Sequence, residues 1–129
     1  MRTRKADKFL YKNYLKKAEE CFSAMNSEFL KGNFNACVVN AIHCAISASD
    51  ALTVFFNGVR HAGEDHKEAI GLLKNLKLDN LNSKISQLLS LLNIKSGAEY
   101  EEKLMSRSDA LTAMLNAERF FKWVKGILK

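Results

Sequence analysis

The chain has 129 residues, no proline and only six glycines, a composition typical of a helical domain with few forced turns. No apolar run approaches the roughly 18–20 residues that cross a membrane, and no apolar segment of a signal peptide follows the basic N-terminus. The three cysteines lie inside helical patterns, which favours free thiols in a reducing cytoplasm. Zinc is not expected, because no Cys-x-x-Cys or His-x-x-x-His pair is present. We therefore expect one cytoplasmic domain over residues 1–129, with no metal or cofactor.

Hydrophobic periodicity predicts an antiparallel all-α bundle of about five helices. The ranges predicted for four of them are roughly 5–31, 34–57, 80–95 and 106 to the C-terminus. The remaining helix begins after a short loop over residues 59–64, and residues 98–105 have no firm assignment.

Local signals mark several ends of these helices. Three glycines are expected to end the first, second and fourth helices, respectively Gly32, Gly58 and Gly97. Asp65 is a good N-cap for the third helix. Ser106 and Asp109 have the spacing of a capping box, which predicts the start of the fifth. Lys95 is expected in the last turn of the fourth helix.

The net charge of +6 is concentrated at the N-terminus, where residues 1–17 contain seven basic side chains and one acidic side chain. If the first helix begins at residue 5, four of these lysines lie on one of its faces: Lys5, Lys8, Lys12 and Lys16. This stripe is either a solvated helix face or an edge that contacts nucleic-acid phosphates.

A polar stripe on the second predicted helix is the most informative feature of the sequence. Its members recur at i, i+3, i+7 and i+10 and are Asn40, His43, Ser47 and Asp50. Polar groups in an apolar helix are costly unless they are paired. The stripe therefore either forms hydrogen bonds across a homodimer or to the fifth helix, or belongs to a site. An interface contact is the simplest interpretation of His43.

The chain resembles the HEPN (higher eukaryotes and prokaryotes nucleotide-binding) family over nearly its whole length. The segments that carry the resemblance are YLKKAE (14–19), NAIHCAISASDAL (40–52), RHAGEDH (60–66), KSGAEY (95–100) and AERFFKWV (117–124). The resemblance implies a helical bundle and, for many members, metal-independent ribonuclease activity. The family signature is an Arg and a His a few residues apart, often with a polar residue after the Arg. Arg60, His61 and His66 match that pattern.

These residue types suit RNA cleavage. A base must take the proton of the 2′-hydroxyl, and a cation must stabilise the charge that develops on the phosphorane. His66 suits proton transfer and Arg60 suits charge stabilisation. His66 is expected at the start of the third helix, where the helix end favours an anion and disfavours imidazolium. Asp50 or Asn40 could orient Arg60 or His66 from the second helix.

Two functions of different classes follow from the resemblance. One is a metal-independent endoribonuclease of toxin or defence type, with Arg60 and His66 at its site and RNA held by the basic stripe. The other is a non-catalytic nucleotide- or substrate-binding module that partners a small nucleotidyltransferase. A dimeric helical protein without a ligand is the plainest alternative. We expect a homodimer, with the small residues of the second helix suited to a twofold interface.

Overall fold

The structure, a computed structural model, describes residues 2–63 and 65–129. Five α-helices and two short strands form this part of the chain, which confirms the predicted all-α bundle. In chain order the elements are β1 (Thr3–Lys5), α1 (Tyr11–Leu30), α2 (Phe34–Asn57), β2 (Val59–His61), α3 (Ala69–Lys74), α4 (Leu81–Tyr100) and α5 (Arg107–Ile127). Single 3-10 turns, Lys8–Leu10 and His66–Glu68, precede α1 and α3.

Helix α2 is the centre of the bundle and packs against α1, α4 and α5. Four of its five alanines, including Ala41, Ala45 and Ala48, are completely buried, so the neighbouring helices approach closely. These small residues therefore face the core of their own chain, and the expectation that they form a twofold interface is wrong. Phe120 and Phe121 of α5 are the largest side chains in that core.

Helix α2 is also long and apolar enough, by length and composition alone, to span a membrane. Its most apolar window has a mean hydropathy of 1.4, and 61% of that window is buried inside the bundle. Such burial is typical of the core helix of a globular bundle, which can be as long and as apolar as a membrane-spanning helix.

Most of the predicted helix ends are confirmed. Gly32 and Gly58 follow α1 and α2 with positive φ of 78° and 65°, a conformation that favours glycine. Asp65 caps the turn before α3 by accepting a hydrogen bond from the backbone N–H of Lys67 at 3.0 Å. Ser106 and Asp109 form the predicted reciprocal capping box.

The first predicted helix begins too early. Thr3–Lys5 is a strand that pairs antiparallel with Val59–His61, with Arg4 opposite Arg60. The backbone N–H of Ala6 then donates to the carbonyl of Gly58 at 2.8 Å, so the chain before α1 is held against the end of α2. A three-residue strand is too short to give a periodic signal, which is why the sequence did not reveal it.

Helix α4 continues one turn past its predicted end. Gly97 was expected to end it, but the helix runs to Tyr100. An isolated glycine inside a helix costs only about 1 kcal/mol relative to alanine, so packing overrides it. This extra turn carries Glu99 and places it one helical turn after Lys95.

Candidate functional site

The polar stripe of α2 faces a shallow groove against α1. The groove is lined by Asn40, His43 and Ser47 from α2 and by residues of α1 that include Lys17 and Glu20. The amide of Asn40 donates to the carbonyl of Ala36 at 2.9 Å, so this side chain is partly satisfied within its own helix. His43 and Ser47 are consequently the members of the stripe best placed to meet a ligand from this groove.

His43 is joined to α4 through a carboxylate. Its Nε2 lies 3.0 Å from Oε1 of Glu99, and the other carboxylate oxygen of Glu99 accepts a hydrogen bond from Nζ of Lys95 at 2.8 Å. The His43 side chain is 47% exposed, whereas that of Glu99 is 12% exposed. The accessible imidazole of His43 therefore contacts a largely buried carboxylate, which is ion-paired to Lys95.

The pKa of Glu99 shows that this carboxylate is ionised. Burial alone would raise the pKa of the carboxyl. Hydrogen bonds from Lys95 and Tyr100, and the nearby charges of Lys95 and His43, outweigh the burial and hold the pKa below its usual value. Lys95 responds in the opposite sense: its hydrogen bond to Glu99 raises its pKa, so it remains a cation.

His66 lies in a second groove, which it shares with Lys95. That groove is lined by His66, Lys67, Lys95 and Tyr100, together with residues of α4. Burial lowers the pKa of His66 from its ordinary 6.5, and the charges of Lys95, His61 and His43 lower it further, against a smaller opposing effect of Glu99. His66 is thus neutral at physiological pH and free to accept a proton. We call His43, His66, Lys95 and Glu99 the His66 cluster.

The predicted reason for a neutral His66 is wrong. His66 begins a 3-10 turn, and α3 after it has only six residues, too short for a substantial dipole at its start. Desolvation and neighbouring cations lower the pKa instead.

His61 lies behind the cluster and is inaccessible. Its ring centre is 5.6 Å from that of His66, and its side chain is 1% exposed. Nε2 of His61 is 3.4 Å from a carboxylate oxygen of Glu68, while its buried Nδ1 has no hydrogen-bond partner among residues 2–63 and 65–129. His61 was predicted as a binding residue, but its burial suits a residue that supports the ring of His66.

Arg60 lies at the other end of the stripe. Its guanidinium donates to the carbonyl of His61 at 3.0 Å, and its charge, with that of Lys17, acts on Asp50. Burial nevertheless raises the pKa of Asp50 to about 7, because these two cations offset only part of the desolvation. Asp50 is seven residues from His43, about 10 Å along the helix.

The structure therefore divides the predicted site residues into two groups. Arg60 and Asp50 form one group. The other group contains His43, which contacts Glu99, and His66, which lies near Lys95. Ser47 lines the groove between α1 and α2 together with His43 and Lys17. Within the described part of the chain, no hydrogen bond or ion pair joins Arg60 to His66. A continuous polar face of α2 connects the two groups.

Sequence reasoning missed three site residues: Lys17, Lys95 and Glu99. Lys95 and Glu99 have the i, i+4 spacing of a helical ion pair, but ending the helix at Gly97 hid that signal. Lys17 was counted in the N-terminal charge and left out of the stripe, although it faces the groove.

The four lysines of the basic stripe do not share one helix face, so that prediction is wrong. Lys5 belongs to β1 and Lys8 to the turn before α1, whereas Lys12 and Lys16 lie one turn apart on α1. Lys16 is 3.9 Å from Glu20, and both side chains are well exposed. Contact between these lysines and nucleic acid stays a prediction.

The cysteines and the possible metal ligands are the remaining reactive side chains. Cys37 and Cys44 are buried free thiols, as predicted, and burial raises their pKa values to about 11 and about 12. Such thiols are poor nucleophiles. Among the described residues, no group of three His, Cys, Asp or Glu side chains is arranged to hold a metal ion.

A family model described as the HEPN domain matches residues 11–127 of the chain. The match covers all five helices and both candidate groups of residues. No curated protein matches the chain.

Proposed function

The chain belongs to the HEPN domain family, and from this membership and the His66 cluster we propose that it is a metal-independent endoribonuclease. The observation that carries the proposal is a neutral, half-buried histidine beside a lysine that stays charged, in a groove open to solvent. A toxin or defence role in the cytoplasm would suit such an enzyme.

His66 acts as the general base in this proposal. A general base must be unprotonated at the working pH and must still bind a proton strongly. The best pKa for a general base therefore lies near that pH. The lowered pKa of His66 ensures that the imidazole is unprotonated. It therefore takes the proton of a 2′-hydroxyl as the oxygen attacks the adjacent phosphorus.

Cations near the stripe have two roles in this proposal, which are to stabilise the charge of the phosphorane and to hold the rest of the RNA strand. Lys95 lines the same groove as His66 and would contact the phosphate under attack. Arg60 of β2 and Lys17 of α1, whose charges both act on Asp50 of α2, would hold a neighbouring phosphate of the same strand. The product is a 2′,3′-cyclic phosphate and a free 5′-hydroxyl.

The test is incubation of the purified protein with a panel of single-stranded RNAs in EDTA, followed by identification of the new ends. We expect cyclic phosphate ends, and we expect His66→Gln to slow cleavage by about 100-fold or more. Lys74→Gln is the matched control, because Lys74 is an exposed residue of the adjacent helix α3. Equal cleavage by His66→Gln and Lys74→Gln would show that His66 is not the base.

One observation favours the second candidate function, a nucleotide- or substrate-binding module that partners a small nucleotidyltransferase. Arg60 donates to the carbonyl of His61 and its charge acts on Asp50, so the Arg–His pair of the family signature is not assembled. A nucleotide phosphate held by Arg60 and Lys17 would need no proton transfer. Tight nucleotide binding without cleavage of any RNA in the panel would favour this function.

We also propose that the chain forms a homodimer, since two copies of a shallow groove together enclose more of an RNA strand than one copy does. The buried alanines of α2 are not available for this interface, so it must use another surface. Light scattering should give about twice the 14.6 kDa mass of the chain, and a mass of one chain at micromolar concentration would exclude the homodimer.

A further inference from the structure

His43 has an environment that the role of His66 does not explain. It is the more exposed partner in a pair with the largely buried Glu99, with 3.0 Å between its Nε2 and Oε1 of Glu99. The contact lacks the alignment of a hydrogen bond, and in the ranges that the structure describes no donor bonds to Oε1 of Glu99. A small rotation of the imidazole would complete the bond, so the ring has a fixed neighbour and retains some freedom to move.

Glu99 is itself held firmly. Its second carboxylate oxygen accepts from Lys95 at 2.8 Å, and Lys95 lies 5.3 Å above the ring of Tyr100. A carboxylate next to a histidine sets the orientation of the ring and stabilises the imidazolium form during proton transfer. This chain of contacts, from Tyr100 through Lys95 and Glu99, ends at a histidine that solvent and ligands can reach.

We propose that His43 is the general acid of the reaction and that Glu99 is its positioning residue. The proposal rests on the proposed ribonuclease function, in which His66 is the base. His43 and His66 come from different elements, α2 and the turn before α3, and both approach the Lys95–Glu99 pair. A phosphodiester placed over Lys95 would therefore have one imidazole for its nucleophile and another for its leaving group.

The step is balanced without a further reactant. The proton of the 2′-hydroxyl passes to His66, the 2′-oxygen forms a bond to phosphorus, and the bond from phosphorus to the 5′-oxygen breaks. The 5′-oxygen takes a proton from the imidazolium of His43. At the end His66 is protonated and His43 neutral, and exchange with water restores both.

The other possible proton donors near the His66 cluster suit the role of general acid less well. Lys95 holds its proton firmly through its bond to Glu99, and His61 is 1% exposed. The titratable groups around His43 are Glu99 from α4 and Lys17, Glu20 and Cys21 from α1. Of these, Glu99 alone is in direct contact with the ring.

The experiment compares two substrates that differ only in their need for an acid. One is a dinucleotide with an ordinary 5′-oxygen leaving group, and the other is its analogue with sulfur in place of that oxygen, which leaves without protonation. His43→Ala should slow cleavage of the ordinary dinucleotide by about 100-fold or more and should cleave the sulfur analogue at nearly the wild-type rate. Glu99→Gln should show the same contrast with a smaller loss.

The His66→Gln variant is the matched control, since the base is needed for both substrates and both rates should fall. The sulfur analogue also reports folding, because an unfolded His43→Ala protein would cleave neither substrate. Equal losses on the two substrates for His43→Ala would overturn the proposal while leaving the ribonuclease function in place. If the wild-type protein cleaves neither, the proposed function fails and the role of His43 fails with it.

Discussion

Replacing Asp50 by asparagine should change how the stability of the protein depends on pH. Asp50 is half-buried on α2, and burial raises its pKa from 3.8 to about 7 despite the opposing charges of Arg60 and Lys17. The folded state therefore keeps a proton on this carboxyl over a pH range in which the unfolded state has lost it. The contribution of Asp50 to stability is present below about pH 4 and is lost as the pH rises through about 7.

The size of the effect follows from the same two values. A tenfold change in proton affinity is worth about 1.4 kcal/mol, so a rise from 3.8 to about 7 corresponds to about 4 kcal/mol above both pH values. Water at the half-buried carboxylate reduces this, and we expect about 2–4 kcal/mol. The asparagine side chain has no charge to bury, so Asp50→Asn should match the wild type near pH 4 and exceed its stability by that amount near pH 8.

Urea unfolding followed by circular dichroism, at several pH values between about 4 and 8, measures this difference. Asp79→Asn is the control, since Asp79 is an exposed residue before α4 and its loss removes the same formal charge. A difference between Asp50→Asn and the wild type that stays constant across this pH range would refute the reasoning. A buried carboxylate retained at such a cost is typical of a functional site.

Three further predictions concern the turns and the groove. Gly58→Ala should destabilise the protein more than Gly32→Ala does. A Cβ at Gly32 would contact nothing within 4 Å, so backbone strain alone should cost about 1–2 kcal/mol there, whereas a Cβ at Gly58 would also lie 3.2 Å from the carbonyl oxygen of Ala6. Equal losses in urea unfolding would contradict this. Ser106→Ala should cost about 1 kcal/mol by removing the cap of α5, and an unchanged urea midpoint would show that the cap is dispensable. Lys17→Gln should reduce the slope of log affinity for single-stranded RNA against log salt by about 0.7, whereas Lys16→Gln, outside the groove, should not; equal slopes would place the RNA elsewhere.

The helices were predictable because their signals are local and repeated. Gly58 and the Ser106–Asp109 box each act through backbone groups a few residues away, and α2 and α5 have long apolar faces. The strand Thr3–Lys5 was not predictable in this way, since its partner is β2, more than fifty residues later, and it is too short to show a pattern.

The candidate site was predictable only in part. His43 and Asp50 could be placed on one helix face from their spacing alone, but their partners come from other elements. Glu99 reaches His43 only because α4 continues through Gly97, and that continuation depends on packing against the rest of the bundle. The chemistry of such a site depends on contacts between helices, for which one sequence carries no direct signal.

The rate of single-turnover RNA cleavage in EDTA, measured as a function of pH, tests the central claim most directly. If His66 is the base, the rate should rise with pH and the midpoint of that rise should lie below 6.5, because burial and Lys95 lower the pKa of His66 from that value. His66→Gln should abolish this rise and leave only a slow residual rate. Absence of cleavage in EDTA, or a rising limb that His66→Gln leaves unchanged, would contradict the account.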